Sequence, residues 1–461
     1  MKSASLRLCA FALMLGSAAA APKTNVVVIL ADDLGYGDLS SYGHPKFKTP
    51  RIDRLAAEGV RFTHFYSPCP YCAPSRAALL TGRFPLRCGV PGNPAPGEGK
   101  ADKAGLPPEE VTLAELFRDA GYATAMVGKW HLGHQPHLLP TRQGFASYFG
   151  IPYSNDMHPV KLLENEATVE YPVVQTTLTP RYTDRAVEFI AKNRDKPFFL
   201  YFAHAVPHKP LACSEERYRK SGGGLYGDVM AEMDVSVGRV LDALDTAGVA
   251  GRTIVVFTSD NGAWYGGSTG GLRGMKGLTW EGGVRVPCIV RWTGKDAPTG
   301  RTCAVPGFLG DVFSTVLAAA GVAPPADRVI DGRDLRPAAA GEAASIHDAI
   351  YLADKGVVQT VRKGNWKLHR KPEPQRRHTG EWKDPRAPDG VTLLAPFEQY
   401  GPDAYPGLLS EEPAEPWSLY DLEKDPGESR NVAQAHPEVV KELRGLLEAY
   451  EAEVGAAGTR R

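Results

Sequence analysis

The chain has 461 residues, 43% hydrophobic and 23% charged, a composition typical of a folded globular protein rather than a disordered or fibrous one. By the usual domain sizes, this length has room for about two to four domains, or for one large α/β unit with an appendage. Lysine and arginine together number 53, as do aspartate and glutamate, so charge gives no reason to expect nucleic acid or an anionic membrane as a partner.

Residues 1–21 contain the three parts of a secretory signal peptide. Lys2 and Arg7 come first, an apolar stretch follows, and alanines end the segment with cleavage expected near Ala20 or Ala21. Its removal changes the formal net charge from 0 to about −2. The alternative is a disordered or buried N-terminus. The signal predicts export to the periplasm or the extracellular space, and no other apolar stretch is long enough to form an integral membrane segment.

The mature chain would keep an even number of cysteines, which could pair in an oxidising compartment. Cys69 and Cys72 form a C-x-x-C pair, but no second pair follows at zinc spacing, and the flanks lack the βαβ context of a redox site. If Cys72 does not take part in a disulfide, five thiols are left and at least one is unpaired. The disulfide we expect is Cys288 with Cys303. The six cysteines are Cys69, Cys72, Cys88, Cys213, Cys288 and Cys303.

Predicted strands alternate with predicted helices over the first two thirds of the chain, which favours an α/β fold: a large mixed, mostly parallel sheet sandwiched by helices. The first strand, NVVVILA at 25–31, is apolar enough to be buried on both faces. Thr112 and Glu115 form a capping box at the start of a helix that Gly121 closes. Further strands are predicted in YATAMV (122–127), PFFLYFAH (197–204) and TIVVFTSDNG (253–262).

A change of composition divides the chain into a main domain, 22–340, and a small C-terminal α+β subdomain, 341–461. In the second part, short strand-like pieces flank Lys363-Gly364-Asn365, which can turn a hairpin. Residues 371–416 are rich in proline, arginine and acidic residues without periodicity, so we expect long surface loops there. Residues 437–454 have the spacing of a helix.

Polar side chains follow the predicted strands at their carboxyl ends, where open α/β sheets bind ligands. Asp32 and Asp33 follow the first strand, and Asp260 and Asn261 follow a late one. Carboxylates this close repel one another unless a cation lies between them, and all-oxygen ligands suit Ca²⁺ or Mg²⁺ rather than zinc. Taken singly, each of these residues could instead cap a helix or begin a turn.

Lysines and histidines follow other predicted strands. Lys129 and His131 are two residues apart and would share one face of an extended segment, while His204 and His208 lie in HAVPHKP. Lys276 lies in a glycine-rich loop that allows close approach to a ligand. A lone lysine is usually solvated and a lone histidine often packs. A metal with several such groups, however, is built to stabilise a polyanion, which predicts a phosphate or sulfate ester as substrate.

The stretch CAPSRAALLTGR, from Cys72 to Arg83, resembles the C-x-P-S-R signature of the type I sulfatases, in which the cysteine is oxidised after translation to formylglycine. Supporting stretches are VVVILADDLGYGDL, GKWHLG, GIPYSND, FTSDNG and GLRGMKGLTWEGGVRVP, with LYDLEKDPGE at 419–428 a weaker match. The resemblance covers most of residues 25–335 and is closest to the arylsulfatase A and N-acetylgalactosamine-6-sulfatase branch. It implies an alkaline phosphatase-like fold and a sulfuric ester hydrolase that releases inorganic sulfate.

The resemblance also implies a role for each matching residue. The matches to calcium ligands are Asp32, Asp33, Asp260 and Asn261, with modified Cys72 contacting the same ion. Arg76 matches the residue that holds the formylglycine hydrate, and Lys129 and His131 match residues that bond both the hydrate and the sulfate. His208 and Lys276 match the pair that faces the ester oxygen and the sulfate. Ser154 matches a hydroxyl near the substrate.

The implied chemistry explains why a cysteine would be modified. A thiol would form a covalent adduct from which the sulfate is not readily released, whereas an aldehyde hydrate has two hydroxyls. One attacks sulfur to give a sulfoenzyme intermediate, and the other later expels the sulfate as the aldehyde reforms. Ca²⁺ and the lysines would neutralise the sulfate oxygens, His208 would protonate the leaving alkoxide, and His131 would accept the proton that lets the intermediate collapse. Free N–H groups at the helix start beside Cys72 would favour negative charge.

The implied partners are a sulfatase-maturing enzyme and a sulfated carbohydrate or aryl sulfate, with glycosaminoglycan or polysaccharide fragments expected first. Trp264, Tyr265 and Trp382 could stack on sugar faces or simply pack. Residues 371–416 have no clear counterpart in the family, and the chain has fewer cysteines than the lysosomal relatives.

Three other interpretations remain. The first is a phosphodiesterase or phosphonate hydrolase, which would more often have Ser or Thr as nucleophile. The second is a non-catalytic protein that only binds sulfated glycans. The third concerns Cys72 alone, which could form a disulfide with Cys69 or Cys88.

Overall fold

The structure, a computed structural model, describes residues 23–97, 99–157, 159–294, 297–374 and 405–458. The expected signal peptide, Trp382 and most of the predicted loop region lie outside the described residues. In the described part of the chain, we find no helix whose length and apolar character would let it cross a membrane.

An eleven-stranded sheet forms the centre of the molecule. Its strands are β1 (Asn25–Ala31), β2 (Val60–Tyr66), β3 (Ala123–Gly128), β4 (Ser147–Gly150), β5 (Leu162–Glu164), β6 (Ala167–Glu170), β7 (Phe198–Ala203), β8 (Thr253–Ser259), β9 (Arg285–Arg291), β10 (Arg301–Cys303) and β11 (Gly307–Phe308). Their order across the sheet is β10-β2-β9-β8-β1-β7-β3-β4-β5-β6, with β11 beside β2. Among these strands only β9 and β5 run against the others, so the sheet is mixed but mostly parallel, as predicted.

Helices cover both faces of this sheet. The α-helices of the described residues are α1 (Pro50–Glu58), α2 (Cys72–Thr81), α3 (Lys100–Lys103), α4 (Leu113–Asp119), α5 (Leu178–Lys192), α6 (Gly224–Thr246), α7 (Glu281–Val284), α8 (Gly310–Ala320), α9 (Arg336–Ala340) and α10 (Pro437–Gly458). Alternate residues of β1 enter two separate cores: Val26 and Val28 pack with α2, α4 and α8, whereas Val27 and Ile29 pack with α1, α5 and α6. This two-sided burial explains the uninterrupted apolar run of the first strand.

A smaller antiparallel sheet follows, with order β12 (Ile350–Asp354), β13 (Val357–Lys363), β14 (Trp366–His369) and β15 (Ser418–Asp421). The apolar side of α10 packs on it through Leu443 and Leu447, which contact a core that includes Val361 and Leu368. The hairpin predicted between β13 and β14 is confirmed, because Lys363 pairs with Trp366 across a two-residue turn. The domain boundary at residue 340 stays a prediction.

The predicted capping box opens α4. The Glu115 N–H donates to Thr112 Oγ1 at 3.2 Å, and the Thr112 N–H donates to Glu115 Oε2 at 2.8 Å. Gly121, expected to close this helix, has a φ of 82° just beyond its last residue, a backbone conformation that favours glycine. Local signals therefore determine both ends of α4.

The disulfide expected between Cys288 and Cys303 is wrong. Both are buried free thiols, as are the other four cysteines of the described residues. The reason is the sheet register: Phe62 of β2 lies between them, paired with Cys303 on one side and Cys288 on the other. Two inter-strand steps of about 4.8 Å separate the two cysteines by roughly 10 Å, beyond the Cα reach of a disulfide.

A fully buried cluster of charges joins the smaller sheet to the larger one. Lys367 of β14 donates to Glu281 of α7 at 2.9 Å and lies 3.1 Å from Glu428. Glu428 also accepts from the Glu281 N–H at 2.6 Å and lies 2.7 Å from Nε2 of His369. Glu428 ends the LYDLEKDPGE segment, so this segment secures the start of α7, five residues after Lys276.

Substituting Glu428 with glutamine is expected to lower the free energy of unfolding by about 3 kcal/mol, because it removes one negative charge from around the buried Lys367 ammonium. Chemical denaturation measures this change. The matched control is Glu423→Gln, an exposed carboxylate of the same segment, expected to stay within about 0.5 kcal/mol of the unaltered protein. A Glu428→Gln variant as stable as this control would show that the cluster contributes nothing.

Candidate active site

Five neighbouring parallel strands end at one edge of the large sheet and bring the predicted site residues there. The strands β8, β1, β7, β3 and β4 are paired in this order with parallel register. Asp32 and Asp33 follow β1, Lys129 and His131 follow β3, Ser154 follows β4, His208 follows β7, and Asp260 and Asn261 follow β8. Cys72 begins α2, after β2, and Lys276 lies in the loop before α7.

The Cys72 side chain is fully buried among charged groups. Its Sγ lies 3.4 Å from Oδ1 of Asp32, 3.5 Å from Nζ of Lys276 and 3.9 Å from Nζ of Lys129. Burial raises the pKa of the thiol well above its ordinary value, outweighing the two ammonium groups that lower it. The thiol is therefore protonated at neutral pH and is a poor nucleophile as it stands.

Four side chains at this edge could hold a metal ion. One ligand atom from each of Asp32, Asp33, Cys72 and His208 lies within 4.8 Å of the others. Asn261 adds a further oxygen: its Nδ2 donates to Asp33 at 2.8 Å, but its buried Oδ1 has no hydrogen-bond partner among the described residues. An orphaned amide oxygen beside two carboxylates fits a hard cation.

The two carboxylates around Arg76 have opposite pKa shifts. Burial, reinforced by the charge of Asp32, raises the pKa of Asp260 to about 7 although Arg76 opposes it. Burial also acts on Asp32, but Lys129, His208 and Arg76 together hold its pKa well below the ordinary value. Arg76 donates from Nε to Asp260 at 2.9 Å and from Nη1 to the Lys129 carbonyl at 2.6 Å. Arg76 thus ties the segment after β3 to the segment after β8.

Two lysines extend this charge network. Lys129 is fully buried, bonds the Asp32 carboxylate and donates to Ser154 Oγ at 3.0 Å. Lys276 Nζ lies 2.6 Å from Oδ1 of Asp33. Burial lowers the pKa of Lys276, but the negative charges of Asp33 and Asp32 outweigh it and raise the pKa well above the ordinary value. Both ammonium groups are therefore positioned beside the Cys72 sulfur as fixed positive charges.

The two histidines of the site have different environments. Nδ1 of His208 donates to the Lys209 carbonyl at 2.6 Å, so Nε2, 3.7 Å from Asp33, is the nitrogen free to act. Nε2 of His131 contacts the Pro94 carbonyl at 3.2 Å, and its buried Nδ1 has no hydrogen-bond partner among the described residues. Burial and nearby ammonium groups, Lys276 for His208 and Lys129 for His131, lower the pKa of both rings.

Three details differ from the sequence interpretation. His204 does not reach the site: it is fully buried against Phe202, with ring centroids 4.3 Å apart. Lys129 and His131 do not share the face of an extended segment, because β3 ends at Gly128 and His131 has a φ of 58°. At the start of α2, the Ala73 N–H is not free, since it donates to Asn93 Oδ1 at 2.9 Å.

A cavity of about 1160 Å³ lies beside the charged groups, and Asp33, His131, His208 and Lys276 line it. Trp264 and Tyr265, named from the sequence, line it with perpendicular rings whose centroids are 5.1 Å apart. The smaller sheet and the segment after its strand β14 supply a wall that the sequence interpretation missed: Asp354, Lys355, Gln359, Lys371 and Glu373. The rule used for the large sheet, polar residues directly after a strand, singles out Asp354 at the end of AIYLAD, but it does not predict that this strand lies beside the cavity.

Comparisons with known proteins agree with one another. Residues 24–322 match the Sulfatase family model. The chain is 39% identical over 491 residues to arylsulfatase A of Homo sapiens, covering 97% of this chain and 91% of the human one. It is 39% identical over 383 residues to N-acetylgalactosamine-6-sulfatase of Canis lupus familiaris, covering 77% and 73%. A solved structure from a Bacteroides thetaiotaomicron locus for the metabolism of multiple glycosaminoglycans aligns with TM-score 0.77 and 29% identity, covering 93% of this chain and 99% of the other.

Proposed function

Because this chain belongs to the sulfatase family and is a sulfuric ester hydrolase, we propose that it removes sulfate from sulfated carbohydrates through a formylglycine made from Cys72. The observation that carries the proposal is the buried Cys72 sulfur, which has an aspartate and two lysines within 4 Å, one of them the Lys276 that lines the large cavity. Fixed positive charges around the nucleophile suit a sulfate ester, which is an anion and whose leaving oxygen gains negative charge during transfer.

A carbohydrate is the proposed leaving group. The cavity of about 1160 Å³ exceeds the usual small-molecule pocket of roughly 300–1,000 Å³, which leaves room for more than the sulfate and one small ring. N-acetylgalactosamine-6-sulfatase is named for a sulfated sugar, and the Bacteroides thetaiotaomicron structure comes from a locus for glycosaminoglycans. We therefore place glycosaminoglycan or polysaccharide fragments ahead of other substrates.

The proposed modification replaces a poorly reactive thiol with a nucleophile that can attack the ester. A buried thiol with a raised pKa does not ionise at neutral pH, so Cys72 needs conversion before it can attack. When formed, the aldehyde hydrate supplies one hydroxyl to attack sulfur and a second whose deprotonation releases the sulfate. Lys129 and Lys276 would hold the sulfate oxygens, and Ser154, bonded to Lys129, would add a hydroxyl donor.

Proton transfers are assigned to the two histidines. We assign protonation of the leaving alkoxide to Nε2 of His208, since its Nδ1 is held by the Lys209 carbonyl. This requires the imidazolium, which the negative charge of a bound sulfate favours. We assign proton acceptance during sulfate release to Nδ1 of His131, the ring nitrogen without a partner among the described residues. Arg76 would hold the hydrate and keep Asp260 in place.

Calcium is the proposed metal. Asp32, Asp33, Asp260 and Asn261 would hold it with oxygen atoms only, the donor type that Ca²⁺ prefers, together with the modified Cys72. When bound, the ion supplies positive charge to the sulfate oxygens and to the attacking hydroxyl. The orphaned Oδ1 of Asn261 is the observation that favours a cation here. A sulfatase-maturing enzyme is the proposed partner. The signal peptide is proposed to direct export to the periplasm or the extracellular space.

The test compares sulfate and phosphate esters of the same sugar, using protein co-produced with a sulfatase-maturing enzyme. We expect kcat/KM for N-acetylgalactosamine 6-sulfate or another monosaccharide sulfate to exceed that for its phosphate analogue by about 100-fold or more. A preference for the phosphate ester would favour the phosphonate hydrolase interpretation, and binding without turnover would favour a glycan-binding protein.

The same assay checks the metal after chelation with EGTA. Calcium is expected to restore activity, and to raise the melting temperature, more than magnesium does. If chelation changed neither activity nor melting temperature, the calcium assignment would be wrong.

A further inference from the structure

Asp354 occupies an unusual place in the cavity wall. It is the last residue of β12, and the preceding Ala353 N–H donates to the Pro68 carbonyl at 2.8 Å. This bond attaches the end of β12 to the segment that leads into Cys72. Asp354 therefore lines the same cavity as Asp33 and Lys276, although it belongs to the smaller sheet.

The Asp354 carboxylate is buried without a full set of partners. Its residue is only 3% exposed, and its Oδ1 has no hydrogen-bond partner among the described residues. Its charged neighbours compensate it only in part: the charge and the backbone N–H of Lys355 lower its pKa, but the Lys355 ammonium is paired with Glu373, whose negative charge raises it. Burial raises the pKa of Asp354 to about 6, so the group is mainly ionised at neutral pH.

An unpaired buried acceptor on a residue that lines a cavity indicates a ligand with a hydrogen-bond donor, since an unsatisfied polar atom is costly and native proteins keep few of them. Sugars present many donors as ring hydroxyls, and acetamido sugars add an N–H. A carboxylate in this position would also repel a second sulfate or a uronic acid carboxylate at the same point of the ring.

On the basis of the function proposed above, we propose that Asp354 determines specificity by accepting a hydrogen bond from a hydroxyl or N–H group of the sugar that carries the sulfate. The sulfate is then bound by the large sheet and the sugar is selected by the smaller one. The ring next to Asp354 would be uncharged at that position, which favours neutral hexose and acetamidohexose sulfates over uronic acid or doubly sulfated rings.

The test uses the ratio of two kcat/KM values, one for a monosaccharide sulfate and one for 4-nitrophenyl sulfate, which has no hydroxyl or N–H donor. The sugar probes are N-acetylgalactosamine 6-sulfate and galactose 6-sulfate. The ratio is expected to fall on the order of 10- to 100-fold in Asp354→Ala, and less in Asp354→Asn, which keeps one acceptor oxygen. The matched control is Asp348→Asn, an exposed carboxylate just before the other end of β12 that does not line this cavity.

The outcomes separate this proposal from the function it rests on. An equal fall for both esters in Asp354→Ala, or an unchanged ratio, would overturn the specificity role while leaving the sulfatase assignment intact. The specificity role would also be overturned if the unaltered protein had no higher kcat/KM for either sugar sulfate than for 4-nitrophenyl sulfate. No sulfate release from any ester by protein with converted Cys72 would overturn the proposed function and this inference together.

Discussion

Replacing Cys72 with alanine is expected to lower sulfate release by at least about 10⁴-fold while the protein stays folded. The proposed nucleophile is then absent, and Lys129, Lys276 and the metal ligands can only bind the ester. The substitution removes one buried sulfur atom, so the loss of folding stability should be about 1 kcal/mol. Sulfate release is measured by ion chromatography, and folding by circular dichroism and the denaturant midpoint.

The control for this substitution is Cys88→Ala. Cys88 is equally buried, but its Sγ contacts the Pro85 carbonyl at 3.5 Å rather than an aspartate and two lysines. A Cys88→Ala variant that keeps its activity separates the loss of the nucleophile from the loss of a buried sulfur. Turnover by Cys72→Ala within about tenfold of the unaltered enzyme would remove Cys72 from the chemistry.

Replacing Lys276 with alanine is expected to lower kcat by about 10²- to 10³-fold, the usual effect of deleting one preorganised charge beside a developing anion. Lys276 lies 3.5 Å from the Cys72 sulfur and 2.6 Å from Asp33, so its loss also leaves a carboxylate uncompensated next to the sulfate. KM should rise too, because the ammonium attracts the ester in the ground state. Steady-state kinetics with a sugar sulfate measures both parameters.

Lys276→Arg tests whether charge alone explains the effect. It keeps the positive charge, so its kcat should be about tenfold or more above that of Lys276→Ala, yet below that of the unaltered enzyme, because a guanidinium does not reproduce the ammonium geometry. The surface control is Lys424→Ala, whose side chain is 82% exposed. If Lys276→Ala kept its kcat, the assigned role of this lysine would be wrong.

The fold was largely predictable because the large sheet is encoded by local signals. The predicted first strand matches β1 residue for residue, and the Thr112–Glu115 capping box begins α4 as expected. Once the strands are parallel, the residues after them must meet at one edge. This is why Asp32, Asp260 and Lys129, far apart in sequence, could be assigned to one site beforehand.

The remaining features depend on which element lies beside which, and no local pattern contains that information. The sequence could not show that Cys288 and Cys303 are too far apart for a disulfide, because only the strand order places Phe62 between them. Asp354 belongs to a short strand of a second sheet, and nothing in its surroundings predicts that this strand attaches beside Cys72. The share of the cavity wall that the smaller sheet supplies was therefore missed, and with it the residue to which we assign sugar selection.

The most direct test of the account is mass spectrometry of the tryptic peptide from Phe62 to Arg76, taken from active protein produced with a sulfatase-maturing enzyme. The account predicts that Cys72 is present as the aldehyde or its hydrate, with sulfur lost and oxygen gained. It also predicts that activity rises in proportion to the converted fraction. Fully active protein in which Cys72 is still a thiol would contradict the account.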